Sequence, residues 1–490
     1  MSRPASLPSP GGLPRLTIAG RLPFFGIVGA AAALNGFLAL VMMRKSVTTA
    51  ALVALLPVIV LVVGHIVQTT GSGLVFAALA LPLSTHALNV PHGGIWPSDL
   101  IAFMAIGAGL ARALMDLGGD RATSVRPTYW PRLPTTGLLF VLFGGAMVVA
   151  AYRGHLSYQT KIIGQPLRLV FYAGIACAMT RLSPQKAYRG IVAVLYVGTV
   201  WMALNAVYYI ATGTSQVDTH DLSTGGTRIL SGSVAMYMAS ALVLALLNLS
   251  IDPRRRSLHL VIAALAAGNV MLGFTRAVYV GLAVPLLFLL FQRRVRGALL
   301  RALPLCVPFL VIGALVIGHF APSIGPTFAA RIAASPSKDA NVQWRQRTTA
   351  EVMRQIRSSP IYGVGFGRTA SINTDYKDPN TGVVWARRQP IGQDPHNSFL
   401  YLAAGGGLLA LCPFVLMLIG FGIDVRRRLR GADPVERTLL MWAGLTLTVI
   451  VASALAGTVF EGASEVLALW LVLTLPAVVR RRDQPEAAAA

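Results

Sequence analysis

The sequence predicts an all-α polytopic membrane protein with about 12–14 transmembrane helices and one long loop subdomain on its outer face. Three observations carry that prediction. Of 490 residues, 55% are hydrophobic and only 12% charged, and the mean hydropathy is +0.64, which is more apolar surface than a soluble domain needs. Mostly apolar runs long enough to cross a ~30 Å hydrocarbon core recur along the chain. Arginine collects in short connections that fall on one side once those runs are threaded through a bilayer.

The runs occupy 22–43, 50–68, 74–90, 99–115, 136–152, 167–182, 190–211, 231–251, 259–275, 277–292, 303–322, 397–423, 438–457 and 461–479. The chain therefore divides into a tail at 1–21, a first transmembrane part at 22–322, a large loop at 323–395, a C-terminal transmembrane part at 396–479 and a tail at 480–490. "DPRRRSLH" (252–259), "RRVRGALLR" (293–301), "DVRRRLRGADPVER" (424–437) and "RRRDQPE" (480–486) share one side, which the positive-inside rule makes cytoplasmic. The N-terminal tail, with Arg3, Arg15 and Arg21, joins them and carries no cleavable signal-peptide pattern. Arg44 and Lys45 face outward under this threading, against the rule.

Composition also excludes several classes. A net charge of +24 invites nucleic acid as a partner, but cytoplasmic loops meeting anionic lipid account for most of it, so membrane lipids and not nucleic acid are the expected contacts. Cys177, Cys306 and Cys412 all lie inside expected spans without CxxC spacing, which reads as small buried apolar side chains and gives no metal site. No P-loop, no GxGxxG after a strand and no fixed-period repeat is present.

The informative charges lie on the outer face. The loop at 323–395 contains ten Lys or Arg against five Asp or Glu, which reverses the positive-inside expectation and points to an anionic visitor. Within it "NVQWRQRTTAEVMRQIRSSP" reads as an amphipathic helix. Trp344, Val352, Met353 and Ile356 share an apolar face, while Arg345, Arg347, Arg354 and Arg357 extend toward water or headgroups. "SPIYGVGFGRTA" follows, where Gly363, Gly365 and Gly367 permit sharp turns or close approach of a ligand beside Arg368. Arg228, in "STGGTRILSGS", precedes a span, and Arg276, in "LGFTRAVYVGL", interrupts a long uncharged run. An arginine at membrane depth is costly and normally has a partner or a task, although one at a hairpin turn can simply snorkel to the surface. His396, in "QDPHNSFLYLAAGGG", stands where a span begins, either as a reactive group at the outer boundary or as an interfacial histidine near a helix cap. Asp394 and Asn397 flank it.

The order "TRILSG", "FTRAVYVGL", a long loop with "WRQR" and "PIYGVGFG", then "HNSFLYLAAGGGLL" resembles the O-antigen ligase and O-antigen polymerase superfamily of bacterial membrane glycosyltransferases. The resemblance covers 225–415 and adds "IWPSDLIAF" at 95–103. It implies a GT-C-like architecture in the inner membrane, with a periplasmic loop over a lateral cavity and an active site facing the periplasm. It also implies an undecaprenyl-diphosphate-linked glycan donor, no cofactor and no metal. By the resemblance Arg228 and Arg276 match paired arginines that hold the diphosphate, and His396 matches the loop histidine that activates the acceptor hydroxyl. Arg345, Arg347, Arg368 and Asn397 are the further expected contacts to diphosphate or glycan. The residues after Gly407, Leu408 to Ala410, depart from the family's histidine motif.

Physical chemistry agrees with those roles. Arginine neutralises a diphosphate leaving group bidentately without losing its proton, and histidine titrates where a general base must. The expected reaction is inverting transfer of the glycan to lipid A-core in the ligase type. The alternatives are a polymerase that extends a lipid-linked glycan acceptor, or a transporter or flippase of lipid-linked glycan. A transporter would carry basic residues deep in several helices, whereas here they gather at one face. Glu461 and Glu465 are candidates to meet sugar hydroxyls or a loop arginine, and His155, Tyr158 and Lys161 to shape the cavity mouth. Asp218, His220 and Asp221 read as solvated.

Overall fold

The computed structural model describes residues 72–83, 99–108, 134–153, 168–179, 182–212, 214, 229–293, 295–297, 299–300, 340–366, 371–377, 384–390, 397–457, 459–460 and 462–479. All belong to the unit Thr70–Ala490. The unit Met1–Thr69, with the expected spans 22–43 and 50–68, and the expected span 303–322 lie outside the described residues.

The helices in order are α1 (Ser72–Ala80, closed by a 3-10 turn at Leu81–Leu83), α2 (Asp99–Ala108), α3 (Pro134–Arg153), α4 (a broken segment at 168–179), α5 (Pro184–Thr212) and α6 (Gly232–Ile251). There follow α7 (Arg256–Leu272), α8 (Arg276–Phe291), α9 (Ala340–Ser358), α10 (Ser398–Arg428), α11 (Pro434–Leu455) and α12 (Ala463–Val478). By length and composition α5, α6, α10 and α11 suffice to cross a membrane, and shorter apolar helices lie at Asp99–Ala108, Leu138–Arg153, Arg276–Phe291 and Ser464–Val478. The chain is a polytopic helical membrane protein, as its hydropathy requires.

The core sits around α6, where every residue from Val234 to Leu249 is buried. A helix apolar on all sides belongs inside a bundle, with other helices around it. Trp442 of α11 donates its indole N–H to Ser240 O at 2.9 Å. Gly281 lets α8 approach α11 closely, since a Cβ there would stand 3.0 Å from Val449 O. By contrast α5 exposes Val197, Val200, Trp201, Leu204, Val207 and Tyr208, the apolar face a lipid environment covers.

Local signals set the turns. Asp252 accepts from Arg254 N at 3.2 Å and starts the turn into α7. Asp433 and Glu436 form a reciprocal capping box around Pro434 at the start of α11. Helix direction then sorts the charges. The turns bearing Arg254–Arg256 and Arg426–Arg428 share one end of the bundle, where Arg428 donates to Val479 O at 2.6 Å and to Pro476 O. The start of α6, the α7–α8 turn, the start of α10 and the α11–α12 connection share the other end.

Four local expectations change. The expected span at 167–182 breaks into a helical turn at 168–171, a 3-10 turn at Tyr172–Gly174 and a helix at Ile175–Met179. Trp470 N–H donates at 2.8 Å to Leu169 O within that segment. The large loop contains an antiparallel hairpin, β1 (Ser371–Lys377) with β2 (Val384–Pro390), whose register pairs Thr374 with Arg387. The span at 397–423 is not one continuous helix, because Gly407 leaves helical geometry at φ 65°, ψ −164°. Finally, Cys412 is exposed, not buried. It lies on the outer face of α10, where a small apolar side chain meets lipid without cost.

Candidate active site

The site end is built first by the α6 start and the α7–α8 turn. Ser231 caps α6 by accepting from Val234 N at 3.3 Å. Just before it, Leu230 N–H donates to Leu272 O at 3.3 Å. Gly232 lies where a Cβ would be 3.3 Å from Thr275 Oγ1. The segment following Arg228 therefore lies against the turn that delivers Arg276 as the first residue of α8. Within that turn Phe274 adopts φ 46° with its ring buried. A bulky residue in the left-handed region costs ~1–2 kcal/mol, and burial of the ring holds it there beside Arg276.

The start of α10 supplies the second part. Asn397 is its N-cap, with Oδ1 accepting from Phe399 N at 3.0 Å and Leu400 N at 3.1 Å. That oxygen is committed to the backbone, so Nδ2 is the group Asn397 can offer a glycan. The next residue is a hub: fully buried Ser398 donates its hydroxyl to Gly457 O at 3.1 Å and accepts from Val459 N at 2.8 Å and Phe460 N at 3.1 Å. The α11–α12 connection is thereby fastened to the residue two positions after His396.

Glu465 joins these parts. Its carboxylate, 9% exposed, accepts from the Ser233 hydroxyl on α6 and from Ser464 Oγ at 2.6 Å. Tyr237 donates to Ser464 O at 2.8 Å. Among the described residues, serine hydroxyls are the hydrogen-bond partners of this carboxylate. On α9, Arg345 does not extend into water as expected; it is half-buried and donates to Ala456 O at 3.3 Å. Arg354 and Arg357 are exposed, Arg354 paired with Glu351.

The amphipathic face of α9 packs on protein: Val352 and Ala404 are buried together, with Ile356 and Leu400 against them. After α9, the turn 360–366 enters the break in α10. Leu408 N–H donates to Pro360 O at 2.9 Å and Leu409 N–H to Ile361 O at 3.1 Å, while Val364 N–H donates to Ala404 O at 2.7 Å and Gly365 N–H to Gly405 O at 2.9 Å. Phe366 N–H adds a bond to Ala150 O of α3 at 3.1 Å, and its ring stacks obliquely on Tyr401 with centroids 5.0 Å apart. A backbone break at membrane depth must have its polar groups met inside the protein, and this loop meets them. Gly363 and Gly365 both take positive φ, 67° and 90°, and at Gly363 close backbone packing requires glycine as well: a Cβ there would stand 2.3 Å from Gly405 O.

The bundle also holds a buried ion pair that the sequence reading did not single out. Arg168 donates to both carboxylate oxygens of Asp99, Nε at 2.8 Å and Nη2 at 2.7 Å, and the Tyr172 hydroxyl donates to the same carboxylate. It pins the broken α4 to the start of α2. Its sequence signal was the placement of Asp99, in "IWPSDLIAF", and of Arg168 at the first turns of two apolar runs.

Of the expected site residues, Arg276, Arg345 and Asn397 come to one end of the bundle. Arg347 lies within α9. His396, Arg228 and Arg368 lie outside the described residues, as do Glu461, His155, Tyr158, Lys161, Asp218, His220 and Asp221.

Compared with known protein families, residues 261–415 match the family model described as O-antigen ligase. The matched segment starts in α7, contains Arg276, α9, the 360–366 turn and Asn397, and ends shortly after the break in α10. No curated protein matches the chain.

Proposed function

We infer that this chain, a member of the O-antigen ligase/polymerase superfamily through residues 261–415, transfers a glycan from undecaprenyl diphosphate to an acceptor at the periplasmic face of the inner membrane. In the ligase-type reaction the acceptor is lipid A-core. The observation carrying this reading is the convergence of the Arg276 turn, the segment after Arg228, the helix start after His396 and the Arg345-bearing helix at the end of the bundle opposite the arginine-rich turns. The positive-inside rule makes that end periplasmic.

The chemistry then follows from the side chains. The acceptor oxygen forms a bond to the anomeric carbon as the bond from that carbon to the diphosphate oxygen breaks. Arg276 and Arg228 stabilise the charge that develops on the leaving diphosphate. His396 takes the acceptor hydroxyl proton, a contribution of ~100-fold to 10,000-fold. One displacement from the opposite face inverts the anomeric configuration. Arg345, Arg347, Arg368 and the Asn397 amide contact phosphate or glycan. Catalysis needs no metal ion in this scheme, because guanidinium groups supply the cationic charge.

The test is transfer by the purified protein in liposomes, from a synthetic undecaprenyl-diphosphate glycan to lipid A-core. Wild type is expected to label lipid A-core, with the product absent for His396→Ala. Growth of the lipid-linked donor would assign a polymerase. Folded protein that gives neither product but moves donor across the bilayer would replace this reading with transport.

A further inference from the structure

The break in α10 follows a rule that its neighbours reveal. In a continuous helix the N–H groups of Leu408 and Leu409 would bond to the carbonyls of Ala404 and Gly405. Those two donors and those two acceptors are the ones that residues 360–365 engage: Pro360 O and Ile361 O accept from Leu408 and Leu409, and Val364 N–H and Gly365 N–H donate to Ala404 O and Gly405 O. The loop backbone is spliced into the helix, replacing two internal bonds with four.

The splice depends on glycine from both sides. Gly407 has φ 65°, and a Cβ there would stand 2.2 Å from Ile361 O; Gly363 has φ 67°, with a Cβ at 2.3 Å from Gly405 O. Gly405 admits the Phe366 ring, which a Cβ would approach to 2.1 Å. None of these neighbours is a flexible side-chain end at 363 or 407, because both clashes are with backbone oxygen. The exposed side chains of Ile361, Tyr362, Leu408 and Leu409 lie on the outside of the join, an apolar surface suited to lipid.

The consequence concerns the first turns of α10, between Ser398 and the break. That half-helix is held by Val352 and Ile356 of α9 on its side, by the Ser398 tether at its start and by the splice at its end. We propose that residues 360–365 are a positioning element for the histidine-bearing start of α10, with Gly363 and Gly407 as positioning residues. Docking of the loop sets the direction in which Asn397 and the chain before it leave the helix. An alanine at 407 favours the straight helix, in which Leu408 and Leu409 return to Ala404 and Gly405 and the loop is released. The role in transfer rests on the function inferred above; the splice itself does not.

The experiment is hydrogen exchange by mass spectrometry on wild type, Gly407→Ala and Gly363→Ala in detergent, with transfer kinetics on the same preparations. In wild type the amides of Val364, Gly365, Leu408 and Leu409 are expected to be protected together. In Gly407→Ala the 364 and 365 amides lose at least about tenfold of their protection, while those of 408 and 409 stay protected through restored helical bonds. Gly363→Ala attacks the join from the loop and leaves the α10 sequence intact, so it gives the same signature should Gly407→Ala fail to fold. In either variant kcat is expected to fall at least tenfold with donor KM within about threefold, since the arginines remain. Unprotected 364 and 365 amides in wild type, or unchanged exchange in both variants, would overturn the splice. Lost protection with full kcat would overturn the positioning role. Wild-type transfer is scored separately, so its absence counts against the inferred reaction and leaves the exchange result standing.

Discussion

Ser398→Ala isolates one hydroxyl. The side chain is fully buried and nearly isosteric with alanine, so the change leaves no cavity of consequence and removes three hydrogen bonds, at 2.8, 3.1 and 3.1 Å. Each such bond contributes ~0.5–1.5 kcal/mol net, giving about 2–4 kcal/mol of local stability in all. The loss falls on the α11–α12 connection, where Val459 and Phe460 lose the acceptor for their N–H groups. The two bonds to these amides account for about 1–3 kcal/mol of it, and with tenfold per 1.4 kcal/mol the amides should exchange roughly 5-fold to 150-fold faster in Ser398→Ala. The assay is site-resolved hydrogen exchange, with Ser398→Thr as a control that keeps the hydroxyl. Glycan transfer should fall in parallel, because the same hydroxyl anchors the start of α10 beside His396. Unchanged exchange at Val459 and Phe460 in well-folded Ser398→Ala protein would refute the tether.

Other expectations concern the frame and the chemistry. Arg168→Met leaves the buried Asp99 carboxylate without its bidentate partner and should destabilise by about 3–5 kcal/mol, whereas Asp99→Leu combined with Arg168→Met should recover most of that; a double-mutant cycle of unfolding in detergent measures it. Asp433→Ala removes the capping box at the start of α11 and should cost ~1 kcal/mol, read as a lower unfolding midpoint with transfer nearly unchanged. Arg276→Lys keeps the charge but not the bidentate fork, so transfer should drop more than tenfold with the protein still inserted; a drop in kcat without a change in thermal stability is the diagnostic pattern.

Much of the frame was readable because its determinants are local. The spans follow from hydropathy, with the start of α10 falling near the expected 397, while the Asp433 cap begins α11 at Pro434, four residues before the expected 438. The amphipathic character of α9 was equally plain, although its apolar face meets Ala404 and Leu400 where a membrane surface was also possible. The missed features depend on partners distant in sequence. Nothing near Gly407 announces that Pro360 and Ile361 complete its helix, and nothing near Ser398 announces Val459 and Phe460. The glycine spacing at 363 and 365 was visible, but the α10 backbone that packs against it was not. The hairpin β1–β2 had its own signal, a "DPNTG" turn between two extended stretches, which the surrounding helical pattern obscured.

The spliced helix also bears on how the protein is made. Residues 360–366 leave the ribosome before 404–409, so the loop segment exists before the helix that it joins. A segment as apolar as 398–428 inserts as a plain helix, closed on itself. In the finished structure one turn of that helix stands open, and its donors and acceptors are taken by residues 360–365. Within the large loop, 360–366 is therefore the stretch whose length is fixed: adding or deleting one residue shifts every donor past its acceptor and leaves the helix to close without it.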